Sequence, residues 1–105
     1  MGVMTTTLAH PERDEIRIAS VLHALADPVR LQIVRALAEH EEGISCGLLP
    51  LGVTASTLTH HVRTLREAGV VRVRPQGTSR ISALRRDDLD ALFPGLLDGV
   101  LAAKR

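Results

Sequence analysis

The stretch TASTLTHHVRTLREAGVVRVRPQG, residues 54–77, changes its hydrophobic period once, and that change decides the fold. At about 100° per residue, Ala55, Leu58, Val62 and Leu65 cluster on one side, a helical pattern. Ser56, Thr59, His60, Arg63 and Glu67 fall opposite, with Thr57 and His61 on the flank. Thr54 is a suitable N-cap, and Gly69 supplies a left-handed stop after Ala68. From Val70 the period drops to two. Val71 and Val73 point one way, Arg72 and Arg74 the other. Pro75 to Thr78 reads as a turn, and Arg80 to Leu84 as a returning strand with Ile81 and Ala83 on its apolar side. A helix over 55–68 therefore runs directly into a basic hairpin over 70–84.

Working outward, Asp27-Pro28 punctuates the chain upstream. Asp27 can cap a helix that has Pro28 at its first position, where no backbone donor is lost. That helix carries Leu31, Val34, Leu37 and Ala38 and stops near His40. An earlier helix is predicted from Pro11 to Ala26, with Glu12, Asp14 and Glu15 at its positive end. Between Ser45 and Leu49 only one or two turns fit before Pro50. Downstream, Asp87-Asp88 opens a last helix with Leu89, Leu92, Phe93, Leu96, Leu97, Val100 and Leu101, which Pro94 either kinks or divides. Residues 1–10 read as a loose, Thr-rich arm, and 11–105 as one domain. The fold class is mainly α with a small β-hairpin, in the order α-α-α-α-β-β-α: a winged helix-turn-helix.

Composition agrees. The chain has 105 residues, 45% of them hydrophobic, with Phe93 the sole aromatic, so Leu, Val, Ile and Ala must build the core. Such a core suits packed helices. No apolar run approaches the ~20 residues of a membrane span, no signal peptide is visible in the first residues, and the single Cys46 excludes an internal disulfide framework. A cytoplasmic location is expected. The formal charge of +1 conceals a pattern. Residues 53–86 hold seven Arg against Glu67 alone, between two acidic flanks. A basic middle of that kind is a footprint for a polyanion.

The element from Ser45 to Ala68 is thus a helix-turn-helix candidate. Small polar side chains let a helix backbone approach the major groove, where base edges carry a distinct donor and acceptor code. Ser56, Thr57 and Thr59 are short enough for that. His60 and Arg63 reach further, to a base edge or a phosphate. His61 is grouped with His60 on the same DNA-facing helix. Arg72, Arg74 and Arg80 give a wing its charge for the phosphate backbone. Solvated faces are the plainer account of any Arg-rich helix. Here the capped polar helix, the basic hairpin directly after it and the charge asymmetry agree.

Residues 22–98 resemble the ArsR/SmtB family of bacterial winged-helix repressors, through LADPVRLQIVRAL at 25–37, TASTLTHHVRTLREAGVVRVRPQG at 54–77 and LRRDDLDALFPGL at 84–96. The resemblance implies a homodimer formed by the first and last helices, binding to double-stranded operator DNA, and an effector that changes that affinity. The family's metal sites do not carry over. Where arsenic-type sensors hold Cys-x-Cys, this chain has Ser45-Cys46-Gly47. Where zinc-type sensors hold Asp and His on the last helix, residues 87–105 contain no His. The remaining candidates for a nickel or zinc site are His10 and His23 beside Glu12 and Asp14, and His40 beside Glu39, Glu41 and Glu42, each also readable as a solvated histidine. Cys46 is a redox switch, a thiol that pairs across the dimer, or an inert buried thiol. A protein co-regulator is a further partner to consider. The alternative function is a protein–protein adaptor that kept the scaffold and lost its DNA. Ala55, standing where many relatives carry Gln, keeps that alternative open. No phosphate loop or nucleophile motif supports an enzyme.

Overall fold

Single residues set the principal boundaries. Asp27 Oδ1 accepts the backbone N–H groups of Val29 (2.8 Å) and Arg30 (3.1 Å), and Pro28 takes the first helical position. Thr54 Oγ1 accepts from Thr57 N at 3.2 Å, and Gly69 ends the same helix at φ 89°. The computed structural model describes residues 9–104. Its helices are α1 (Ile18–Leu25), α2 (Pro28–Ala38), α3 (Ala55–Ala68), α4 (Arg86–Leu92) and α5 (Leu96–Ala102). The hairpin of β1 (Val71–Gln76) and β2 (Ser79–Leu84) lies between α3 and α4. Short 3-10 turns occupy Arg13–Glu15 and Cys46–Leu48. This is a winged helix-turn-helix. The core gathers Val21, Ile33, Val34, Leu37, Leu65, Val70, Val71, Leu89 and Leu97, all fully buried. Each contributes roughly 1.5–3 kcal/mol relative to exposure.

The first expected helix is shorter than the sequence suggested. Residues 11–26 do not form one helix. After the turn at Arg13–Glu15 the chain is extended at Ile16 and Arg17, and α1 begins at Ile18. The cause is tertiary. Ile16 is buried over Gly69, so closely that a β-carbon there would lie 2.5 Å from Ile16 Cγ1. Of the expected arm, residues 1–8 lie outside the described residues.

The hairpin also differs in detail. Pro75 pairs with Arg80 and Gln76 with Ser79, so the turn is only Gly77-Thr78. Residues paired across an antiparallel ladder share a face. Val71 and Leu84, Val73 and Ser82, and Pro75 and Arg80 therefore face one way. Ile81 and Ala83, expected with the core valines, lie on the other face with Arg74 and Arg72. They are covered there by the loop at Gly43, where a β-carbon would meet Ile81 Cγ2 at 2.6 Å. Ser82 exchanges both backbone bonds with Ile44, each at 2.9 Å. Val73, opposite Ser82, therefore points its N–H outward, where His10 Nε2 accepts it at 3.0 Å. At Pro94 the last helix is divided, with Gly95 in the left-handed region at φ 85°. Arg86 bridges the two pieces, 3.6 Å from Asp90 and 3.0 Å from Asp98.

Candidate nucleic-acid interface

The N-terminal half of α3 is exposed at Ala55, Ser56, Thr57, Thr59, His60 and Arg63. The cap shapes its first turn. Thr54 Oγ1 donates to Thr57 Oγ1 at 2.9 Å and lies 3.3 Å from Ser56 Oγ. The Thr57 hydroxyl thereby keeps its own proton for an outside acceptor. Thr59 is the reverse: its hydroxyl donates to the Ala55 carbonyl at 3.0 Å, so outward it only accepts. His60 and Arg63 follow on the same exposed side.

His61 does not belong to this surface. It is buried, and its Nδ1 lies 3.0 Å from Arg30 Nη1 of α2. Arg30 is itself buried and donates through Nε to the Ala24 carbonyl at 2.6 Å. A guanidinium only donates, so His61 Nδ1 accepts and its proton sits on Nε2. The motif's two adjacent histidines therefore have opposite roles: His60 outside, His61 holding α3 to α2 and the end of α1.

The three wing arginines are separated by the hairpin register. Arg80 shares the inner face and lines a groove between α3 and the hairpin with Thr59, Arg63 and Arg66. Arg72 and Arg74 lie on the opposite face. Arg72 Nη2 is 3.8 Å from Asp88 Oδ2, and Arg74 donates to Gln76 Oε1 at 2.7 Å. The basic middle segment is thus partly neutralised by the acidic flank that follows it. Arg72, Arg85 and Arg86 are drawn to Asp88, Asp90 and Asp98. Among the described residues, Arg63, Arg66 and Arg80 take part in no ion pair. Three unneutralised cations thus lie on the α3 side of the hairpin, and Arg74, also outside the ion pairs, on the other. Arg66 was missed in the sequence, although it stands one turn beyond Arg63.

Asp88 anchors the base of the wing. It accepts from Arg13 Nε at 2.7 Å and Arg85 Nε at 2.9 Å. Burial alone would raise its pKa, but the bonds from Arg13 and Arg85 outweigh that and hold it below the ordinary carboxylate value. Asp27 is lowered as well, first by the Arg30 backbone N–H. Among the described residues, no three His, Cys, Asp or Glu side chains come together to hold a metal. His10 is engaged at the sheet edge through Nε2. His23 is exposed and His40 half-buried, each apart from any such cluster. Cys46 is buried; burial pushes its thiol pKa up, against a bond with Ser82, which keeps it protonated rather than nucleophilic. Among the described residues, no helix is long and apolar enough to cross a membrane.

Comparison with known proteins gives this surface its context. A helix-turn-helix domain family matches residues 25–74. The chain is 34% identical over 87 residues to the HTH-type transcriptional regulator YceK of Bacillus subtilis, covering 81% of this chain and 86% of that protein. It is 32% identical over 73 residues to a biofilm growth-associated repressor of Xylella fastidiosa, covering 65% of this chain and 64% of that one. In three dimensions it is similar to the crystal structure of the ArsR family transcriptional regulator RHA00566, with a TM-score of 0.65 at 20% identity, over 87% of this chain and 92% of the other.

Proposed function

The chain belongs to the helix-turn-helix transcriptional regulators, and on that premise we propose that it is a homodimeric repressor of the ArsR/SmtB type. It inserts α3 into the major groove of its operator and lays the hairpin beside it as a wing. One observation carries this reading: the exposed half of α3 combines oriented hydroxyls with cations that no carboxylate of the described residues neutralises. Thr57 offers a donor and Thr59 an acceptor, a pairing suited to base edges. Arg63 and Arg80 lie on the two walls of one groove, α3 and the hairpin, where they meet the phosphate backbone. Arg72 and Arg74, on the other hairpin face, serve a flanking phosphate.

The dimer is supported by α1. Ile18 and Leu22, one helical turn apart, are 43% and 50% exposed. An apolar strip left open on a small chain is a partner surface. With α5 it forms a two-fold interface that sets the spacing of two α3 helices. Repression is the reading that the Xylella fastidiosa relative's name supports.

Footprinting on the DNA upstream of the chain's own coding region, at fixed salt, tests the proposal. A protected, pseudo-palindromic site is expected, with half-sites about one helical turn, ~34 Å, apart. Uniform protection of unrelated duplexes would contradict it.

A further inference from the structure

The groove between α3 and the hairpin has a volume of about 530 Å³, within the ~300–1,000 Å³ of small-molecule sites. Its floor is apolar, formed by Leu58, Val62 and Val73, and its cations are Arg63, Arg66 and Arg80. No carboxylate lines it. Arg66 Nε is buried without a hydrogen-bond partner among the described residues. A buried, unmatched guanidinium N–H is costly and calls for an acceptor. A DNA phosphate supplies an acceptor at the rim but nothing to cover Leu58 and Val62, the half-buried part of that floor.

We propose that this groove is an effector site for a small organic anion, an aromatic or branched carboxylate whose acid group meets Arg66 and Arg80 and whose apolar body lies on Leu58, Val62 and Val73. The inference rests on the regulator reading for its consequence. Because Thr59 and Arg63 also line the groove, the occupied state cannot seat α3 on DNA in the same way. Ligand and operator therefore compete, and each weakens the other's binding by the same factor. On that reading the site lies on the DNA face itself.

The test uses the full chain and three probes: 1-naphthoate, the neutral 1-naphthalenemethanol, and inorganic phosphate. Binding is followed through the side-chain Nε–Hε resonance of Arg66, assigned by its loss in Arg66→Lys. We expect 1-naphthoate to shift that resonance saturably and to release operator DNA. The alcohol and phosphate should each bind roughly tenfold or more weakly, and Arg66→Gln should weaken naphthoate by about the same factor. Equal binding of the alcohol would reduce the groove to an apolar patch. Phosphate binding as tightly as naphthoate would make it a plain anion site. An unmoved Arg66 resonance would place the ligand elsewhere. Each of these overturns the proposal, and the first two are read on the unmodified chain, whatever a variant does to folding. The regulator reading stands apart from them if the same protein still retards operator DNA. A chain that bound naphthoate at Arg66 but ignored DNA would keep the site and lose the regulator.

Discussion

Arg30 Nη1 lies 3.0 Å from His61 Nδ1, a buried polar contact between the scaffold helix α2 and the helix proposed to enter DNA. It joins the inner side of α3 to the scaffold while His60, its neighbour in sequence, faces out. Two adjacent histidines therefore give two different mutational signatures.

His61→Ala leaves a buried guanidinium N–H without its acceptor and opens a cavity, so it should lower unfolding stability by about 2 kcal/mol. His60→Ala removes an exposed ring and should change stability by no more than about 0.5 kcal/mol. His60→Ala should instead weaken specific DNA binding more than nonspecific binding. Urea unfolding and paired DNA titrations separate the two, and equal stability losses would contradict the assignment.

Gly69 and Ile16 should be energetically coupled. Gly69→Ala places a side chain at φ 89° and drives it into Ile16. The backbone term alone costs about 1–2 kcal/mol. In an Ile16→Ala background the clash is relieved, so the same substitution should cost less, with a coupling energy of roughly 0.5–3 kcal/mol. Strict additivity in a double-mutant cycle would show that the two do not touch.

Asp88 predicts a pH dependence. Its folded pKa lies below the ordinary value of about 3.9. A depressed carboxylate adds stability that is complete above the unfolded pKa and is lost as pH falls through the lower folded one. Asp88→Asn should therefore destabilise by about 2 kcal/mol near neutrality, and its gap from the unmodified protein should close below about pH 4. A gap independent of pH in unfolding titrations would contradict the role of the Arg13–Asp88–Arg85 cluster.

Leu22→Glu puts a charge on the exposed strip of α1. Sedimentation equilibrium should show a monomer at concentrations where the unmodified chain is dimeric, with unchanged helical content. A persistent dimer would move the interface away from α1.

Local chemistry explains what the sequence disclosed. The cap at Asp27-Pro28, the cap at Thr54, the stop at Gly69 and the division at Pro94 each depend on a few neighbouring residues. So does the exposed row Ser56, Thr57, Thr59, His60 and Arg63. The remainder depends on partners distant in the chain. The break at Ile16 exists because Gly69 leaves room for that side chain. His61 turns inward because Arg30, on another helix, offers it a bond. Ile81 and Ala83 change faces because the ladder pairs Val73 with Ser82, and strand alternation alone does not set the register. The same register places Arg80 beside Arg63 and sends Arg72 and Arg74 to the other side. Arg66 was legible as the next turn of the Thr59–Arg63 face, but the burial of its Nε was not.

The most direct test of the central claim is the affinity of Arg63→Glu for the footprinted operator at one fixed salt concentration. Circular dichroism and sedimentation on the same sample establish that fold and assembly are intact. If α3 enters the groove, the affinity falls by about a hundredfold or more while both controls match the unmodified protein. If the variant binds the operator as tightly as the unmodified chain, α3 does not face the DNA.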